Sequence, residues 1–182
     1  MRVARLTLMS LAALWAVLCL LSCSGDGNEA DSSGMNNRST SAASVSSTKA
    51  PGFALRSLDG KTVNFSQFQG KVVLVDFWAS WCRPCRRSIP DLNSLYQKYS
   101  PEGFEVVGIS LDKSGTSRLQ EFAKKIGITY TVVMGSREIA QRWDTGPAIP
   151  VAYLVDREGE IVGKYVGLQD KTKLEDEILR YL

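Results

Sequence analysis

From Val72 to Cys85 the chain runs through Val72-Val73-Leu74-Val75-Asp76-Phe77 straight into Trp78-Ala79-Ser80-Trp81-Cys82-Arg83-Pro84-Cys85. A short apolar run beginning just after Gly70 and Lys71 is the pattern of a central strand buried on both faces. Pro84 suits the first turn of a helix, where a missing N–H costs little, so a helix is expected from about Arg83. Ile89, Leu92, Leu95, Tyr96 and Tyr99 recur at helical spacing and carry it to Tyr99. Pro90 falls inside that helix and is expected to kink it. The two cysteines therefore stand where a buried strand hands over to a helix, and a pair with this spacing at a helix start is a redox dithiol.

Cys82 lies at the helix N-terminus, whose free N–H groups carry about half a positive charge. Arg83, Arg86 and Arg87 add cations close by. Thiols in such settings have pKa values of about 3.5–7.5 against about 8.5 for a free cysteine. Cys82 is accordingly the expected nucleophile, and Cys85, one turn further in, the resolving thiol that attacks the mixed disulfide. Other uses of the pair compete less well. A structural zinc site needs four ligands, the chain has no histidine, and Cys19 and Cys23 belong to the N-terminal segment, so no metal is expected. Covalent haem attachment wants histidine where Arg86 stands. A static bridge with this short spacer would be strained and easily reduced.

Met1 to Cys23 reads as a secretory signal: Arg2 and Arg5 supply the basic start, and Leu6 to Leu21 is an apolar run followed by small residues. That run is shorter than the ~20 apolar residues of a stable membrane span. Residues 24–50 are rich in Ser, Asn, Gly, Asp and Thr. They cannot bury enough surface to offset ordering entropy, so a flexible tether is expected there. The chain has 22 basic and 19 acidic side chains; residues 1–22 hold Arg2 and Arg5 and no acid, which leaves the remainder near neutrality. No nucleic-acid partner is expected from that balance.

Residues 51–182 suffice for one compact domain. Phe53-Ala54-Leu55 and Lys61-Thr62-Val63 flank Asp59-Gly60, a hairpin signal. Further strands are expected at Phe104 to Leu111, Tyr130 to Met134, Val151 to Val155 and Glu160 to Tyr165, the last two joined through Asp156-Arg157-Glu158-Gly159. Helices are expected around Leu119 to Ala123, stopped by Gly127, from Ser136 as N-cap to Trp143, and from Asp170 onward. The order implies an α/β fold, a central mixed β-sheet with helices on both faces.

Residues 51–182 resemble the thioredoxin superfamily and, within it, the TlpA/ResA-like membrane-tethered thiol–disulfide oxidoreductases. The resemblance rests on Val75-Asp76-Phe77-Trp78-Ala79-Ser80-Trp81-Cys82-Arg83-Pro84-Cys85 with Pro90 behind it, on Ala148-Ile149-Pro150-Val151, and on a central α/β insertion from about Lys113 to Thr145. It implies a thioredoxin-like fold with an N-terminal hairpin, a redox-active Cys82–Cys85 disulfide, and a cis bond at Ile149–Pro150 facing Cys82. Only proline tolerates cis cheaply, and the turn would leave Ile149 backbone groups free to pair with a substrate strand. Trp81, Arg83, Pro84, Ile149 and Pro150 are the expected docking surface, with Trp78 in the core. Asp76, a carboxylate inside an apolar strand, should have a raised pKa and matches the superfamily's buried acid, which makes it the expected proton acceptor for Cys85. The superfamily's lysine partner is missing, since Val106-Val107-Gly108 occupies its strand. Leu20-Leu21-Ser22-Cys23 resembles the lipobox of bacterial lipoproteins, which implies cleavage before Cys23 and a lipid anchor on it.

These readings together imply a lipid-anchored extracytoplasmic protein, on the periplasmic or cell-surface side, that needs no cofactor. It would reduce disulfides in secreted proteins, apocytochrome c among them, and be recharged by a membrane thiol donor. A disulfide-forming oxidase uses the same residues in reverse, and Arg83, by stabilising the thiolate, pushes that way. A thiol peroxidase shares the fold, but its isolated cysteine usually follows a threonine that Cys82 lacks. A binding or chaperone module with an incidental dithiol is the remaining class.

Overall fold

The structure, a computed structural model, describes residues 48–182. The signal, Cys23 and the tether up to Ser47 lie outside the described residues. In chain order the elements are β1 (Thr48–Lys49), β2 (Ala54–Arg56), β3 (Thr62–Asn64), β4 (Val72–Trp78), α1 (Arg83–Tyr99), β5 (Phe104–Ser110), α2 (Thr116–Ile126), β6 (Thr131–Met134), α3 (Arg137–Arg142), β7 (Val151–Val155), β8 (Glu160–Val166) and α4 (Lys171–Leu179). Short 3-10 turns follow β3 and α1.

Six strands form one sheet in the order β1-β8-β7-β4-β5-β6, and β2 and β3 make a separate hairpin. β4 runs parallel to β5 and antiparallel to β7, so the sheet is mixed about its central strand. All seven residues of β4 are buried, which explains why its sequence is apolar without alternation. Val72, Leu74 and Trp78 face the core under α1, α2 and α4, where Ile89, Leu95, Leu119 and Ile178 pack. Val73, Val75 and Phe77 face the other way, against Phe53, Ile139 and Trp143 from the hairpin segment and α3. This is a thioredoxin-like α/β fold with helices on both faces.

Local chemistry sets the element ends. Asp170 and Ser136 cap α4 and α3 by accepting from Lys173 N and Ile139 N, and Gly127 ends α2 in the left-handed region at φ 75°. Pro90 lies inside α1 without ending it. The chain joins the sheet earlier than the tether reading to Ala50 allowed: Thr48 and Lys49 pair with Ile161 and Glu160 of β8. Lys49 Nζ also stands 3.1 Å from Glu160 Oε1. Backbone pairing at an open sheet edge, rather than side-chain pattern, recruits those two residues.

Candidate active site

Cys82 is the N-cap of α1 and Cys85 lies in its first turn; the two are joined by a disulfide with Cα atoms 5.3 Å apart. Cys82 is 5% exposed and Cys85 fully buried, so a partner reaching the bridge meets Cys82 first. The Cys85 N–H donates to Cys82 Sγ at 3.3 Å, and the same N–H, at the helix start, would stabilise a thiolate there after reduction. Pro84 occupies the first turn beside it. Arg83, Arg86 and Arg87 are exposed, and none forms an ion pair among the described residues.

The Ile149–Pro150 peptide bond is cis. It brings the Ile149 carbonyl oxygen to 3.7 Å from Cys82 Sγ. Asp144, at the start of this loop, has φ 48°, and its carbonyl accepts from the Tyr153 hydroxyl at 2.9 Å and from Lys164 Nζ at 2.6 Å. The loop's far end is tied by Gly167 N donating to Pro150 O at 2.9 Å. That bond brings Val166 and Leu168, both exposed, to the same end of the sheet as Trp81, which is 67% exposed. Exposed apolar side chains at this end of the sheet can help seat a polypeptide. Trp78, by contrast, is completely buried.

Asp76 sits on β4 in register with Gly108 of β5 and Ala152 of β7. It is 3% exposed, and its Oδ2 has no hydrogen-bond partner among the described residues. Burial pushes the Asp76 carboxyl up to about 7. A cavity of about 30 Å³, lined by Asp76, Ser88, Gln169 and Lys171, lies beside it. A side chain at Gly108 would have to displace a ring: a Cβ there would meet Trp78 Nε1 at 2.8 Å and Tyr130 Cε2 at 3.2 Å. The strand position of the missing lysine is filled by two aromatic rings.

The AhpC/TSA family matches residues 47–164. Thiol-disulfide oxidoreductase ResA of Geobacillus kaustophilus is 33% identical over 135 residues, 74% of this chain and 76% of its own length. ResA of Bacillus cereus is 32% identical over 128 residues, 70% of this chain and 73% of its own. The chain belongs to the AhpC/TSA family, among its ResA-like thioredoxin-superfamily members. Among solved structures, a Chlorobium tepidum protein described as a candidate thiol:disulfide interchange protein DsbE is 37% identical, with TM-score 0.68 over 74% of this chain and 96% of that one. This ResA-like chain is a protein-disulfide oxidoreductase.

Sequence reasoning did not find the brace behind the ResA-like dithiol. Asp112, just past β5 and 7% exposed, accepts from Ser80 N at 2.8 Å, Ser80 Oγ at 2.6 Å and Ser110 Oγ at 2.8 Å. It pins the turn between β4 and Cys82. The available signal was an acid at the C-terminal end of a parallel strand, where such sheets place functional groups. Val166 and Leu168 were also missed, although apolar residues flanking Gly167 at a strand end were visible. Among the described residues, no three His, Cys, Asp or Glu side chains cluster to hold a metal, and no helix is long and apolar enough to cross a membrane.

Proposed function

We propose that this protein is a membrane-tethered, extracytoplasmic reductant of protein disulfides. The observation that carries the reading is the bridge itself: Cys82 at a helix N-terminus, flanked by Trp81 and Ile149, with Cys85 buried behind it. In the reduced protein the Cys82 thiolate attacks one sulfur of a substrate disulfide. That S–S bond breaks, a Cys82–substrate disulfide forms, and the other substrate sulfur leaves as a thiol. Cys85 gives its proton to Asp76 and attacks Cys82 Sγ. The second substrate thiolate departs and takes a proton, two electrons have passed to the substrate, and the Cys82–Cys85 disulfide seen in the structure remains. Trp81, Arg83, Pro84, Ile149 and Pro150 form the docking surface.

Location rests on the N-terminal sequence: a basic start, an apolar run and Cys23 as the lipid attachment point, followed by a Ser- and Asn-rich tether. A tethered reductant outside the cytoplasm needs a membrane thiol donor and acts on secreted proteins that oxidise there, apocytochrome c thiols among them. A buried acid whose pKa stands near neutrality suits a reductant, because it can take the Cys85 proton at working pH. The opposite direction is favoured by one feature, Arg83 next to Cys82, which forms no ion pair among the described residues and stabilises the thiolate and hence the reduced protein. The reduction potential against glutathione decides between them. A value near the ~ −270 mV of cytosolic thioredoxin supports the reductant, and one near the ~ −120 mV of strong oxidants supports the oxidase.

A further inference from the structure

We propose that a groove beside the dithiol receives an acidic side chain, so that the protein prefers disulfides whose cysteine is flanked by glutamate or aspartate. The proposal rests on exchange at Cys82 and names the substrate class of that site. The groove, about 400 Å³, starts at Trp81 and Ile149. Trp81 is the neighbour of Cys82, and the Ile149 carbonyl lies against the Cys82 sulfur. A polypeptide that brings a disulfide to Cys82 therefore lays its adjacent residues across this opening.

The lining divides by chemistry. Leu111, Ala140 and Ile149 make apolar wall, while Lys113 and Arg137 are both exposed and make no ion pair or side-chain hydrogen bond among the described residues. Lys49, Lys61, Lys71, Lys98, Lys164 and Arg180 each stand within ion-pair distance of an acid, whereas Lys113 and Arg137 share their lack of an ion pair with Arg83, Arg86 and Arg87 beside Cys82. Asp112 is the one acid lining the groove, and its oxygens already accept from Ser80 and Ser110. With three hydrogen bonds already made and the residue buried, it has little left to offer a substrate lysine. Glu138 follows Arg137 on α3 but does not line the groove. A glutamate fits this division: its methylenes lie along apolar wall and its carboxylate reaches Lys113 or the forked donors of Arg137. A basic side chain would meet two cations of its own sign. Both cations come from the α/β insertion, Lys113 at its start and Arg137 at the start of α3, which gives that insertion a role at the dithiol.

The test uses the full chain, reduced with dithiothreitol, and three peptide disulfides identical except that Glu, Gln or Lys flanks the cysteine on both sides. The expected order of KM is Glu below Gln below Lys, with about a tenfold span at low salt that shrinks as salt is added, and kcat unchanged. K113E/R137E should invert the order, and K124E/K125E, at the last turn of α2, should leave it as in the unmodified protein. Equal KM values for the three peptides, or an order that survives K113E/R137E, overturns the proposal while exchange at Cys82 stands. Failure to reduce any peptide would instead contradict the exchange reading. In that event Trp81 fluorescence, titrated with the same peptides carrying serine for cysteine and referenced to Trp81→Phe, reads docking without chemistry. Tighter binding of the Glu peptide supports the groove, and equal or absent binding overturns it.

Discussion

Asp76→Asn tests the electrostatics of the site most quantitatively. Asp76 is an acid whose folded pKa stands above its unfolded value, about 7 against the ordinary 3.8, because burial disfavours its charge. Between those two pH values the folded protein holds a proton that the unfolded chain has released, so stability falls as pH rises through the window. At ~1.4 kcal/mol for each tenfold change in acidity, keeping the carboxylate ionised at pH 8 costs the folded state about 4 kcal/mol. Asparagine has the same shape and no charge to desolvate. The difference in unfolding free energy between Asp76→Asn and the unmodified protein, both oxidised, should therefore grow in favour of the variant by about 3–4 kcal/mol between pH 4 and pH 8. Urea unfolding at pH 4, 6 and 8, with equal m-values for the two proteins, measures it. Any fixed effect of the amide adds the same offset at every pH. A difference that does not change with pH would refute the reasoning.

Asp112→Ala strands the Ser80 N–H and two hydroxyls and should cost about 2–4 kcal/mol in urea unfolding, with Asp112→Asn recovering part of the loss; an alanine variant within ~0.5 kcal/mol of the unmodified protein would remove the brace. Gly108→Ala drives a methyl into Trp78 and Tyr130 and should lower stability by about 1–3 kcal/mol, with a shift in near-ultraviolet circular dichroism from Trp78. A neutral Gly108→Ala would mean that the rings move aside freely. Cys82→Ser should abolish insulin reduction, and turnover equal to that of the unmodified protein would return the chain to the binding-module class.

Much of this architecture was readable because the decisive patterns are local. β4 announces itself by unbroken burial, α1 by apolar residues at helical spacing behind Pro84, and the hairpin of β7 and β8 by the polar turn between them. The dithiol lies next to such elements and was found with them, whereas the cis bond at Ile149–Pro150 came from the family resemblance and not from a local pattern. What stayed hidden depends on distant partners. Asp112 reads as an ordinary surface acid until Ser80, 32 residues earlier, is placed against it. Gly108 reads as a weak spot in a strand until the rings of Trp78 and Tyr130 claim the space of its side chain. Thr48 and Lys49 carry no strand signal of their own, since β8 supplies the edge that orders them. The groove joins both ends of the insertion to the cis-proline loop, a proximity that no spacing rule encodes.

Trapping tests the central claim most directly. Cys85→Ala leaves Cys82 without its resolving thiol, so a disulfide substrate should remain bound to it through one S–S bond. Mass spectrometry of the reduced variant after exposure to a disulfide-bonded protein should find that adduct on the peptide containing Cys82. It should be released by dithiothreitol and be absent from Cys82→Ala. Adduct on neither variant, or on Cys85 alone in Cys82→Ala at the rate seen for Cys82, would contradict attack by the cysteine at the helix N-terminus.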